Sequence, residues 1–361
     1  MKLEQIYNIG LGGCGSKLVN TFADINSVCD FAFMNSNSNE MRHLSNYSPD
    51  VSLNIKGDGT GRDRLMAKES LKEDKNKFAE FLCSKIGVYD VFNLFFSMDG
   101  GFGSGAFPIV SKLLRNLNNK QGLQDAKINL CGVAPRYKSR KKNLQNTLSA
   151  YRDILDLREK GIINSFQIIN NNKMQYESKF NKAVITEISN SFMINNIELD
   201  STDSKRINCA DGYKIILSLK GEELGYNMSD SIEYAEDESL FLLPDNIKNC
   251  SHLGATFVQN GFDKYEVLEH FNVREFDKED YNLNKNIIVL GGCRTPDSEM
   301  RKYQKALNDL ENSIDIEDKF KSDFEFIDLD SEKQHTQSIP KSKTIDRQSL
   351  RDMIDDDNLW D

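Results

Sequence analysis

The stretch Gly10-Leu11-Gly12-Gly13-Cys14-Gly15-Ser16 decides the fold, and it has a counterpart farther along, Asp99-Gly100-Gly101-Phe102-Gly103-Ser104-Gly105. Each loop follows an apolar run that reads as a buried strand (6–11 and 91–98) and precedes a helix-like stretch (17–25 and 106–117). A strand that turns through glycines into a helix leaves the first helical amides unpaired and ready to receive an anion. Glycine suits such a turn because it tolerates positive φ and puts no side chain between the amides and a phosphate. Two loops of this kind in one chain imply a single polyphosphate.

Outward from the loops, strand-like runs at 6–11, 31–35, 91–98, 128–134 and 166–170 alternate with amphipathic stretches at 63–85, 106–117 and 143–160. That rhythm predicts an α/β fold built on a doubly wound parallel sheet. From Lys179, the residues Phe180, Val184, Ile188 and Phe192 recur near helical spacing and predict a long core helix. Beyond it, short apolar runs at 214–219, 239–243, 255–258 and 286–291 and a charged helix at 297–312 predict a smaller α/β domain. After Asp328, Ser, Thr, Gln, Lys and Asp dominate, which is the composition of a disordered tail. Within that tail, Ile345, Leu350, Met353 and Ile354 sit at roughly helical intervals and suit either a short helix formed on a partner or a solvated tail with incidental apolar residues. The expected divisions are a nucleotide-binding domain at 1–178, core helix and following loop at 179–210, a C-terminal domain at 211–327 and a flexible tail at 328–361.

Charge and cysteine usage exclude several classes. The chain has 361 residues and a net charge of −10, and counterion release from nucleic acid needs clustered Lys and Arg, so no direct nucleic-acid surface is expected. The seven cysteines lack metal spacing and a CxxC pair, which predicts no metal site, no disulfide framework and a cytoplasmic setting. No apolar run approaches bilayer length, so neither a membrane partner nor a signal peptide is expected. The basic run 138–142 reads as a solvated face, and the four histidines stand alone.

The first loop alone matches the dinucleotide fingerprint, but the following strand ends in Asn35-Ser36-Asn37 where a ribose-holding acid is required. A Walker loop fails as well, since Gly15-Ser16-Lys17 lacks the Gly-Lys-Ser/Thr order. The bland alternative, glycines serving tight turns alone, fits either loop but strains to explain both.

The run from Gly10 to Asn20 resembles the first phosphate loop of the tubulin/FtsZ superfamily, and 100–105 resembles its signature loop. The likeness is greatest to TubZ, the plasmid- and phage-borne partition GTPases. It implies that Gly12, Gly13, Cys14, Gly100, Gly101, Phe102, Gly103 and Ser104 hold the phosphates of GTP or GDP with Mg²⁺. It further implies that Gly61 belongs to a γ-phosphate-sensing loop, that Asn35 and Pro135 flank the nucleotide, and that Asn171 and Asn181 read guanine. The signature loop departs from the pattern at Asp99 and Phe102; a carboxylate beside phosphate is costly, so Asp99 is expected to point away. In this superfamily an acidic loop after the core helix completes the neighbouring subunit's site. Asp211 and Asn208 match that pattern read loosely, and Asp203 or Asp200 lies nearer the expected distance. The implied function is a GTPase that self-assembles head to tail and moves DNA through a DNA-binding adaptor on its tail. An FtsZ-like division protein and a non-polymerising nucleotide-binding module are the alternatives.

Overall fold

In the computed structural model, which describes residues 5–192, 201–220, 226–257, 262, 264–280, 286–317, 354–355 and 359–360, β1 (Ile6–Leu11) runs straight into α1 (Gly12–Ile25). Every β1 residue is buried, as a central strand covered on both faces requires. The chain continues through β2 (Asp30–Asn35), α2 (Ser38–Arg42) and the short β3 (Ser52–Asn54), stepping outward along one side of β1. After α3 (Arg64–Glu73) and α4 (Lys75–Cys83), β4 (Val91–Ser97) returns to pair in parallel with the other side of β1. Next come α5 (Phe102–Lys120), β5 (Lys127–Ala134), α6 (Lys141–Glu159) and β6 (Ser165–Asn170), again with parallel strand pairing. The winding direction reverses between β1 and β4, and in open parallel sheets a ligand crevice forms at the carboxyl ends of the strands at such a point. The two glycine loops follow these two strands.

From β6 the chain turns into α7 (Glu177–Phe192) and returns toward the amino-terminal edge of the sheet, where α8 (Ser201–Asn208) leads into β7 (Gly212–Leu219). Parallel pairing of β6 with β7 covers only Ser165–Gly212 and Phe166–Tyr213. The remaining elements are α9 (Met228–Asp237), β8 (Asn249–Thr256), α10 (Lys264–His270), β9 (Asn272–Asp280), β10 (Asn286–Cys293) and α11 (Asp297–Glu317). Strand β10 is antiparallel to both β7 and β8, while β9 is parallel to β8. One ten-stranded sheet results among the described residues, in the order β3-β2-β1-β4-β5-β6-β7-β10-β8-β9. The α/β class and parallel core match the sequence reading, and the smaller C-terminal part extends the same sheet through that two-residue seam.

Several expectations change. The stretch 63–85 forms two helices, broken at Asp74, whose carboxylate accepts from the Lys56 amide and whose backbone (φ −98°, ψ 18°) leaves the helix. The apolar run at 239–243 contributes to the sheet only one bridge, between Ile169 and Phe241. In the tail, Ile345, Leu350 and Met353 lie outside the described residues, whereas Ile354 is buried together with Leu359 and Trp360.

Candidate nucleotide-binding site

The two glycine loops meet back to back. A Cβ added to Gly103 would stand 2.5 Å from the Leu11 carbonyl oxygen, and one on Gly12 would stand 3.1 Å from the Gly103 amide nitrogen. Glycine is therefore required at Gly103 for close approach, and the expected reason, positive φ, holds in these loops only at Gly12 (φ 72°). Neither α1 nor α5 has a side-chain cap or an acid in its first turn, so the amides from Gly12 and Phe102 onward remain open to an anion. They face a cleft of about 500 Å³ at the carboxyl ends of β1, β2 and β4.

The cleft brings together Gly12, Gly13, Cys14, Asn35, Gly61, Gly100, Gly101, Phe102 and Gly103 from the sequence-derived set. Ser104 sits just behind, fully buried, and its hydroxyl has no partner in the protein; Ser36, which does line the cleft, has the same kind of orphan hydroxyl. Unpaired buried hydroxyls in an open cleft suit a polar ligand. Burial, reinforced by Asp99 and Glu177, pushes the Cys14 thiol up to about 12, so it adds no negative charge to the phosphate loop.

Residues that sequence reasoning missed hold this cleft in shape. On α6, the Asn143 amide donates to the Asp99 carboxylate and its carbonyl oxygen accepts from Arg62 Nη1 at 2.8 Å. Asn146 Nδ2 reaches the carbonyls of Arg62, Asp99 and Gly100 at 3.0, 3.1 and 3.2 Å. Two asparagines one turn apart thus bind the 57–63 loop to the signature loop. The Asp99 carboxylate is turned onto Ser97 and Asn143 while still lining the cleft. Arg62 is the one cation among the described lining residues, against Glu40, Asp58 and Asp99, and it adopts φ 67°, unusual for a side chain of its size. Glu40 comes back over the first loop, accepting from Asn35 Nδ2 at 2.8 Å, and a Cβ on Gly13 would meet its carboxylate oxygen at 2.5 Å. No local motif announces these partners, because they lie on other elements or several residues away.

The residues expected around base and ribose lie outside that lining. Pro135 follows β5, and its carbonyl accepts from the buried Tyr303 hydroxyl at 2.7 Å. Asn171 follows β6 and Asn181 lies on α7, at the same edge of the sheet as the cleft. Between them in sequence is Tyr176, 68% exposed, with Lys179 Nζ 5.6 Å from its ring centroid.

The residues expected in the catalytic loop occupy the opposite edge. Asn208 is buried: its amide donates to the Ser191 carbonyl at 2.9 Å and its oxygen accepts from Lys214 Nζ at 2.8 Å. Its side chain serves the interior. Asp211 accepts from Asn164 Nδ2 at 2.9 Å and lines a second cleft of about 530 Å³ with Gln5, Asp90, Lys205 and His252. Asp203 is on α8, and Asp200 falls in 193–200, outside the described residues.

No family model matches the chain. It is similar to the tubulin-like protein CetZ of Pyrococcus horikoshii, 26% identical over 263 residues that span 65% of this chain and 67% of that one. It is also similar to the tubulin-like protein TubZ of a Clostridium botulinum C phage, 22% identical over 317 residues spanning 86% and 82%. Among solved structures, tail-truncated TubZ of Clostridium botulinum phage c-st superposes with a TM-score of 0.77 at 18% identity, covering 86% of this chain and all of that one. CetZ1 of Haloferax volcanii, a GDP-bound monomer, gives 0.67 at 16% identity (85% and 99% covered), and a two-stranded TubZ-Bt filament gives 0.71 at 16% identity (91% and 94% covered). The fold is tubulin-like. Within the tubulin/FtsZ superfamily, the resemblance runs to the TubZ and CetZ proteins.

Proposed function

We propose that this chain is a GTPase that assembles head to tail into filaments, with GTP held in the cleft of one subunit and hydrolysed when the next subunit docks. The observation that carries the reading is the opposition of two edges: the glycine loops at the carboxyl ends of the strands, and the end of α8 with Asp211 at their amino ends. Asp211 lines a different cleft from the one at the glycine loops, so an acid on this edge would act on the cleft of a second copy. Such a heterologous contact repeats into an open polymer. The structural neighbours solved with GDP and as a filament support both halves of the reading.

In this site the amides of α1 and α5 hold the phosphates and Arg62 supplies a positive charge. Mg²⁺ would neutralise further phosphate charge; of the described cleft carboxylates, Glu40 and Asp99 are already bonded to Asn35 and to Ser97 and Asn143, which leaves Asp58 the one on hand to hold it, directly or through water. Asn171 and Asn181 would read guanine, Pro135 would support the ribose, and Tyr176, between the two asparagines in sequence, offers an aromatic face. The incoming acid, from Asp200, Asp203 or Asp211, would orient water for in-line attack. The filament would move plasmid or phage DNA through a DNA-bound adaptor gripping the 328–361 segment. The CetZ likeness supports a second reading, in which the same polymer serves another cytoskeletal task, FtsZ-like division included. Phosphate release followed together with light scattering across a concentration series tests the core of the proposal. Turnover per subunit should rise steeply at the assembly threshold; a flat profile, or equal affinity for GTP and ATP, would overturn it.

A further inference from the structure

The segment around residues 354–360 has the composition of a solvated tail, yet its apolar side chains are out of water. Ile354 is 1% exposed, Leu359 2% and Trp360 8%. The described residues of the segment bond to each other, with Trp360 Nε1 donating to the Ile354 carbonyl at 3.0 Å. Two lysines of neighbouring helices reach it. Lys68 of α3 donates to the Trp360 carbonyl at 3.4 Å, and Lys75 of α4 pairs with the Asp355 carboxylate. Charge complementarity accompanies the apolar seat, since the segment carries Asp355, Asp356, Asp357 and Asp361.

We propose that the α3–α4 surface is a peptide-recognition site, and that its ligand is the acidic, tryptophan-bearing 354–360 segment of the same chain. The buried apolar trio anchors the ligand, and the lysine pair sets direction by meeting an acid near one end and a carbonyl at the other. Tethering on one chain makes the encounter intramolecular, so the seat fills at concentrations where a free peptide of the same sequence would not bind. One consequence concerns any partner that grips this part of the chain. Ile354, Leu359 and Trp360 are withheld while they are seated, and a partner that needs them must first compete with α3 and α4. The site is independent of whether the glycine cleft takes GTP.

Trp360 is the single tryptophan of the chain, so its emission reports the seat directly. In the full chain without nucleotide, selectively excited emission should be blue-shifted and acrylamide quenching several-fold weaker than for a free peptide spanning 351–361. Both signals should be unchanged by dilution. The double variant Lys68→Glu/Lys75→Glu, and separately Leu359→Ala, should red-shift the emission and restore peptide-like quenching while circular dichroism stays that of the folded chain. A fully water-exposed Trp360 in the unaltered chain would overturn the proposal. So would protection lost on dilution, which would make a second copy the occupant, or protection that survives in both variants, which would place the seat elsewhere. If the charge reversals unfold the protein, an excess of the 351–361 peptide with Trp360→Phe, added to the unaltered chain, gives the same decision: displacement red-shifts the emission, and no shift at saturation counts against the site.

Discussion

A side chain at Gly103 has nowhere to go, because its Cβ would press on the Leu11 carbonyl, whereas a Cβ on Gly100 would meet nothing closer than Ser97 Cβ at 3.6 Å. Gly103→Val should therefore cost about 1–3 kcal/mol of stability by overpacking and weaken nucleotide binding by an order of magnitude or more. Gly100→Ala should leave both near wild type. Calorimetric titration with GTP, alongside urea unfolding, separates the two, and equal behaviour would refute the back-to-back packing of the loops. Arg62 gives a second test. Hydrogen bonds to charged groups contribute roughly 1.5–3 kcal/mol, so Arg62→Ala should erode the preference for GTP over GDP by about 10- to 100-fold. Arg62→Gly should do the same while relieving the strain at φ 67°, so it should be the more stable of the two variants. The glycines were legible because their spacing is local and follows strands. Asn143 and Asn146 were not, because they join the site from a helix some forty residues beyond the signature loop.

At the scale of elements, the strand runs were readable because continuous apolar stretches suit a sheet covered on both faces. The break at Asp74 was hidden, since it depends on the Lys56 amide arriving from another loop. The interior role of the Asn208 side chain was hidden for a similar reason: a loosely matched motif says nothing of a lysine waiting on the next strand. Lys214 of β7 is buried, with Nζ bonded to Asn208 Oδ1 at 2.8 Å and Ser191 Oγ at 3.1 Å, and 4.6 Å from the Phe192 ring centroid. It joins the end of α7 to the end of α8. Burial lowers its pKa from the usual 10.5 to about 8. Between those values the unfolded chain binds the proton and the folded chain does not, so this group's contribution to stability rises with pH, and below pH 8 the folded state bears the full cost of a buried charge. Comparing urea unfolding at pH 7.5 and 9.5, the wild type should gain about 2 kcal/mol relative to Lys214→Met. The difference between variants is the informative quantity, because cysteines and tyrosines raised by burial push the wild-type curve the other way over the same range. Parallel curves for the two proteins would show that Lys214 does not titrate in this window.

For the molecule as a whole, the sheet sets the glycine loops at one edge and the end of α8 with Asp211 at the other, and the proposed division of labour between subunits rests on that separation. The cleft was legible in residues, because strand–glycine–helix repeats announce it, whereas the far edge emerges only once α7 has carried the chain back along the sheet. If the site is shared, a subunit with an intact cleft and no acid should be rescued by one with an intact acid and no cleft. Asp200→Ala, Asp203→Ala and Asp211→Ala, each assayed alone, identify the acid: its loss should leave GTP binding intact and lower turnover by about 100- to 10,000-fold. Gly103→Val alone should be equally inactive when GTP is kept well below the dissociation constant of its weakened cleft. Mixed in equal amounts, the acid variant provides the GTP-loaded cleft and the Gly103→Val subunit provides the acid from above. One of the four kinds of interface is then complete, and the mixture should recover up to roughly a quarter of the wild-type rate. Recovery should increase with total concentration, since the productive contact lies between subunits, and it should vanish if both substitutions are placed in the same chain. Mixtures that stay as inactive as their components, with both variants folded and the acid variant still forming filaments, would place the catalytic acid within the subunit that binds the nucleotide and end the shared-site mechanism.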